Sequence, residues 1–201
     1  MATTTIMRLK SADQKPGGER FNYVGMHRYI ITLLTFKSRP IFTRDQHVMA
    51  VVKLLHDVCQ DHRFDIYAYC FLPERLILIA RGKSEQSDMK AFLTSFRHSS
   101  SDLLASALGH TLWKRKYQER VLRRDEDTKK IALDVFGLPV KAGLAARLTE
   151  YKFQGSFVVN LAGLEEGPTR PFRKSPRFEH KGKPHGAAGR GRYPRKKSFK
   201  R

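Results

Sequence analysis

The stretch YAYCFLPERLILIA, residues 67–80, constrains this chain more than any other. Residues 63–72, RFDIYAYCFL, are rich in aromatic and branched side chains and read as one strand. The two-residue period puts Phe64, Ile66, Ala68 and Cys70 on one side of it. Residues 73–80 read as a second strand, opened by Pro73, because Leu76, Ile77, Leu78 and Ile79 suit a pleated, half-buried surface. The second run follows so closely on the first that the two are expected to pair as a hairpin. An antiparallel sheet therefore sits at the centre of any fold this chain adopts. Glu74 and Arg75 set two charges at the mouth of an otherwise apolar strand.

The flanking segments extend this centre. Residues 27–36, HRYIITLLTF, alternate and form a strand. Thr43 and Gln46 have the spacing of a capping box, and Val48, Val51, Val52, Leu55, Val58 and Cys59 then fall on one helical face. A second helix starts near Ser87 and carries Met89, Phe92, Leu93, Phe96, Leu103 and Leu104. Residues 112–122, LWKRKYQERVL, alternate like a fourth strand, with Trp113 and Tyr117 on a shared face and Trp113 expected in the core. Asp125 opens a third helix through Leu133 and Phe136, which Pro139 breaks or bends. The order βαββαβ followed by a helix predicts an α+β fold of the ferredoxin-like kind. This is an antiparallel sheet with helices on one face, an extra C-terminal helix and a disordered basic tail. The other sheet face is expected open. Residues 1–26 are polar and read as a flexible leader, 27–162 as the folded domain and 163–201 as the tail.

Charge narrows the function. The chain has 39 Lys and Arg against 19 Asp and Glu, a net charge of +20, which favours a polyanion as partner. Residues 165–201 hold 13 of the positive residues against three glutamates, half of that net charge, with Phe172, Phe178, Tyr193 and Phe199 interleaved. Such a segment cannot bury enough apolar area to order itself. It suits an arm whose Arg190, Arg192, Arg195, Lys196 and Lys197 neutralise phosphates while its rings stack on bases. In the folded part, Arg81, Lys83, Lys114, Arg115, Lys116, Arg120, Arg123, Arg124, Lys141 and Arg147 are candidates for one basic track. No apolar run approaches the roughly 18 residues of a spanning helix, so no membrane partner is expected. Cys59 and Cys70 read as buried thiols of a reducing compartment. No two of the eight histidines stand at i, i+2 on a strand, so no metal site is expected.

Four stretches together carry a resemblance. YAYCFLPERLILIA is similar to the metal strand of the single-tyrosine HUH transposases, in the REP-associated tyrosine transposase branch. There it runs Met-Pro-Asp-His-hydrophobic-His-Leu-Leu. LWKRKYQERVLRRDED (112–127) resembles that family's Trp-Gln-Arg-x-Tyr-x-Asp-x-Val-Ile-Arg-Asp-x-Asp-Asp segment. LPVKAGLAARLTEYKFQGSF (138–157) resembles its Asn-Pro-Val-Lys-Ala-Gly-Leu and Asp-Tyr-Pro-Trp-Ser-Ser segments, and RYIITLLTFKSRPIF (28–42) fits its opening strand. The resemblance implies a bacterial, cytoplasmic protein acting on single-stranded or hairpin DNA. In that family two histidines hold Mg²⁺ or Mn²⁺, and a tyrosine attacks the scissile phosphate to form a phosphotyrosine link.

Carried over position by position, the two metal histidines fall on Arg75 and Ile77, and the nucleophilic tyrosine on Asp134. Glu74 matches the acidic residue beside the metal pair, and Tyr151 a tyrosine other than the nucleophile. Arg75 is a fixed cation, Ile77 has no donor atom and Asp134 has no phenol. The expectation is a DNA binder whose cleavage chemistry, and with it the need for a metal cofactor, has been removed. Arg75 either meets phosphate with its own charge or pairs with Glu74 or Asp134. The alternative is a module that binds structured RNA or associates with the ribosome on the same scaffold. An RNA-recognition motif is disfavoured, because ERLILIA carries none of the stacking rings that motif needs on its third strand.

Overall fold

A computed structural model describes residues 21–158. The central hairpin joins β2 (Phe64–Leu72) to β3 (Arg75–Gly82), with Leu72 opposite Arg75. Pro73 and Glu74 are thus the two turn residues, and the strand begins at Arg75 and not at Pro73. Proline has no N–H for a ladder, and its fixed φ suits a tight turn.

The expected alternation along β2 fails at one residue. Ile66 pairs with Ala80 but Ala68 pairs with Ile79, which leaves Tyr67 without an opposite number. This bulge reverses the facing of everything after it. Phe64 and Ile66 join the core on one face of the sheet, while Ala68 and Cys70 join the core on the other. The four residues expected on one side are divided two and two.

The other strands complete an antiparallel sheet in the order β4-β1-β3-β2-β5, with β1 (Arg28–Leu34), β4 (Gln118–Val121) and the short β5 (Gln154–Gly155). The predicted continuous strand over 112–122 is broken. Trp113 bridges Thr35 and Gln118 pairs with Thr32, so five steps on one side face three on the other. The two extra residues loop out, and Arg115 and Lys116 are exposed there.

One face carries α1 (Asp45–His62) and α2 (Met89–Leu108). The face expected for α1 is the face it buries: Val48, Val51, Leu55, Val58 and Cys59 are buried and Val52 is partly so. Its start is different. The helix begins after Arg44 with no side-chain cap, because the Thr43 hydroxyl turns back to donate to the Pro40 carbonyl (3.3 Å). α2 is capped by the Asp88 carboxylate, which accepts from the N–H groups of Lys90 and Ala91. Trp113 lies in this core, and its indole N–H donates to Ser100 Oγ (2.8 Å).

The opposite face is covered in part, not open. α3 (Thr128–Phe136) lies on it, capped by Asp127 and not by Asp125, and seals Ala132, Val135 and Phe136 against Ile30, Ala68, Cys70, Leu72, Ile77 and Ile79. α3 ends at Gly137, and Pro139 sits in the first turn of the separate α4 (Leu138–Lys141).

Residues 21–26, expected in the loose leader, are held against the sheet and α2, with Asn22, Val24 and Met26 left exposed. Phe21 and Tyr23 lie against the first core, Tyr23 stacks on Tyr29, and Val24 bridges Asp88. Gly25 crosses Gly82 so closely that a Cβ on Gly82 would stand 2.2 Å from the Gly25 carbonyl oxygen. The tail positions Arg190, Arg192, Arg195, Lys196 and Lys197 lie outside the described residues. No described helix is long and apolar enough to cross a membrane.

Candidate nucleic-acid interface

The strand entrance is a charged turn above an apolar seal. The Arg75 guanidinium donates to Glu74 Oε1 through Nε (2.8 Å) and through Nη2, and each side chain keeps about a quarter of its surface in water, 26% and 29%. Of the two ion-pair partners considered for Arg75, the geometry supplies Glu74. Asp134 is exposed on α3 and forms no ion pair among the described residues. A half-buried ion pair between neighbours at the protein surface contributes on the order of 1 kcal/mol, so Arg75 can be drawn from Glu74 toward a phosphate at small cost.

Ile77, two residues along the same face, is 5% exposed and pairs with Cys70 beneath α3. Burial pushes the Cys70 thiol up to about 12, so it stays neutral. Tyr151 closes the same cluster and donates its hydroxyl to the Phe71 carbonyl (2.5 Å). Burial first, then the nearby Cys70 and Glu74, push the phenol up to about 12. Tyr151 is therefore a packing residue at this end of the sheet.

A divalent metal needs donor atoms converging on one face. At the two positions in question stand a guanidinium held by a carboxylate and a sec-butyl group in an apolar cluster. Among the described residues no three His, Cys, Asp or Glu side chains are placed to hold a metal. The residues present do not fit the metal that the HUH resemblance implies.

The candidate basic residues do not form one track. Arg81, Arg123 and Arg124 gather where β3 ends and β4 leaves the sheet, since Arg28 at the start of β1 pairs opposite Arg81 and its carbonyl accepts from the Leu122 N–H. Lys83 is close in sequence and pairs with Asp65 (3.6 Å). Lys114, Arg115 and Lys116 stand at the other end of β1, where the Lys114 N–H donates to the Leu34 carbonyl and its Nζ to Ser38 Oγ (2.8 Å). Six residue steps along β1 separate the two ends, about 20 Å at roughly 3.3 Å per residue. Arg120 is committed to Glu126 (2.7 Å). Lys141 is exposed on α4, and Arg147 lies beyond it, 3.9 Å from Glu150.

Two residues were missed by the sequence reading. Arg28 reaches across to donate to the carbonyls of Glu126 (2.9 Å), Arg123 and Arg124 and to Thr128 Oγ1, which ties the β4–α3 connection to the sheet. Glu126 tightens the same knot, accepting from Arg120 and from the Arg123 N–H (2.7 Å). Burial pushes its carboxyl up, but these hydrogen bonds and the two arginine charges outweigh that and hold it below the usual carboxylate range. Nothing local marks either residue: the partners of Arg28 lie 95 and more positions away, and Arg120, six positions from Glu126, meets it at no strand or helix spacing.

No family model matches the chain, and no curated protein matches it. Among solved structures, a REP-associated tyrosine transposase bound to a REP hairpin is similar, with a TM-score of 0.57 and 18% identity over 68% of this chain and 80% of that one. A candidate transposase from Deinococcus radiodurans R1 aligns at a TM-score of 0.43 and 18% identity, over 58% of this chain and 92% of that one. The first likeness establishes the architecture: this chain has the α+β fold of a tyrosine transposase.

Proposed function

We propose that this protein binds nucleic acid, with single-stranded or hairpin DNA as its ligand, and that it does so without cleaving a strand. The observation that carries the reading is the strand entrance. On a transposase fold, the positions where the resemblance places two metal ligands hold Arg75, paired to Glu74, and Ile77, sealed under α3. The position of the nucleophile holds an exposed aspartate. What the surface keeps is positive charge in two clusters, and the chain as a whole carries +20. Phosphate contacts of this kind bind tightly and lose affinity steeply with salt. A cytoplasmic setting suits the two free, buried thiols.

The test combines binding and cleavage. Purified protein is titrated with labelled hairpin DNA, single-stranded DNA and a matched RNA hairpin, with Mn²⁺ or EDTA, across a salt series. The expected result is salt-dependent DNA binding with no covalent adduct. Metal-dependent nicking with a protein–DNA adduct would falsify the loss of chemistry. A clear preference for the RNA hairpin at matched salt would move the ligand to structured RNA.

A further inference from the structure

At the end of the sheet away from Glu74 and Arg75 lies a pocket of about 370 Å³, bordered by Gly25, His27, Arg28, Arg81, Glu85 and Arg124. It is a built feature. The strap at residues 24–27 forms its wall, held by the Gly25 N–H to the Ser87 carbonyl (2.9 Å) and by the Gly82 N–H to the His27 carbonyl (3.0 Å). Gly25 sits at φ +118° and Gly82 admits no side chain, so both glycines are needed for the strap to cross there.

Its charge is unbalanced. Arg28 and Arg81 stand directly opposite each other on neighbouring strands, a like-charge pair that is destabilising by itself; Asp65, opposite Arg81 on its other side, is engaged by Lys83 (3.6 Å). Among the described residues the hydrogen-bond partners of the Arg28 guanidinium are carbonyls and a hydroxyl, which orient it without neutralising it. Arg81 donates to the Tyr67 hydroxyl (3.2 Å). Arg124 is exposed, and its side chain has no hydrogen-bond or ion-pair partner among the described residues. Glu85 is the one acidic group at the rim, and it too forms no ion pair among the described residues. A second pocket among the described residues contrasts with this one. There His98 is paired with Asp102, and Arg97 donates to the carbonyls of Lys114 and Arg115.

Guanidinium groups match the oxygens of a phosphate two at a time. We propose that this pocket seats one phosphate of a nucleic-acid strand, gripped by Arg81 and Arg124 with the fixed charge of Arg28 behind them. The proposal rests on the nucleic-acid reading above and adds to it an anchor point. That anchor lies six residues along β3 from Arg75, about 20 Å away.

The experiment measures affinity for hairpin DNA across a salt series with the full chain and three variants: R81Q/R124Q, E85Q, and K53Q on the exposed face of α1 as a control expected to leave the slope unchanged. Oligonucleotides carry a 5′-phosphate, a 3′-phosphate or hydroxyl ends. In parallel, inorganic pyrophosphate is titrated calorimetrically without DNA. For R81Q/R124Q the slope of log K against log salt is expected to fall by about 1, the loss of one phosphate contact. E85Q is expected to tighten binding by roughly two- to fivefold, the size of one exposed charge interaction. Saturable pyrophosphate binding is expected in the wild type and lost in R81Q/R124Q. If only an end-phosphorylated strand gains from the pocket, the ligand is a terminal phosphate; if all ends behave alike, it is an internal phosphodiester. Arg81 and Arg124 are both exposed, so fluorescence of the single tryptophan serves to verify that the variants fold. DNA binding by the wild type with an unchanged slope in R81Q/R124Q overturns the pocket and leaves the nucleic-acid reading standing. If the wild type binds no DNA or RNA, that reading fails, and the pyrophosphate titration alone then decides whether the pocket is an anion site.

Discussion

At the scale of single residues, Ile77 is the most informative position. A histidine there would be buried beneath α3 among Cys70, Leu72, Val135 and Phe136, with no partner for its ring nitrogens. Ile77→His is expected to cost roughly 2–4 kcal/mol, from lost apolar contact and a buried unsatisfied polar group. Urea unfolding followed by Trp113 fluorescence measures this, and an unchanged midpoint would mean that the face is not sealed. Glu126 makes a second prediction. Its carboxyl is held below the usual range in the folded chain, so its contribution is present above the unfolded-state value near 4.5 and is lost as pH falls through the lower folded value. Glu126→Gln should therefore lower the melting temperature at neutral pH, and the gap to wild type should narrow progressively as the pH falls below 4.5. A gap that does not narrow on acidification would show that the hydrogen bonds act through geometry and not through charge. The sequence names both residues but does not reveal their surroundings. Ile77 reads as one more strand residue until α3 lies over it, and Glu126 reads as a surface acid until Arg120 and the Arg123 N–H converge on it.

Elements were legible wherever a period ran uninterrupted. The buried stripe of α1 and the hairpin of β2 with β3 follow from spacing alone. Three departures have local causes that spacing does not carry. The bulge at Tyr67 divides β2 between two cores, the two extra residues before Gln118 break the fourth strand, and the Thr43 hydroxyl turns away from the helix it was expected to cap. A bulge leaves the residue pattern intact and changes only which side it faces. The strap at residues 24–27 is the same kind of case, since its polar, glycine-containing sequence has no period. Gly82→Ala tests it. The new methyl group would meet the Gly25 carbonyl at 2.2 Å and Ser87 Cβ at 2.8 Å, so the strap must move. A loss of about 1–3 kcal/mol is expected, as for overpacking, with a lower melting temperature as the readout. A neutral result would mean that the strap gives way freely.

The described residues form an antiparallel sheet between two unequal helical layers, with positive charge at both ends of β1; by sequence, half of the chain's net charge falls in residues 165–201. If that charge acts on phosphates, a chain ending at residue 165 should bind hairpin DNA with a shallower salt slope than the full chain. Equal slopes, compared by fluorescence anisotropy from 50 to about 300 mM salt, would assign the salt dependence to the folded part. By itself the sequence determined the order of elements, the central hairpin, the surplus of positive charge, and which side chains stand at positions 75, 77 and 134. Those are properties of composition and short-range spacing, which every copy of the chain carries before it folds. Only the tertiary structure decided that α3 seals Ile77 from water, that Asp134 stands apart from Arg75, and that Arg28, Arg81 and Arg124 border one pocket. Antiparallel pairing sets residues opposite one another that lie 53 and more positions apart in the chain, as with Arg28 and Arg81, and no local period encodes a meeting at that distance.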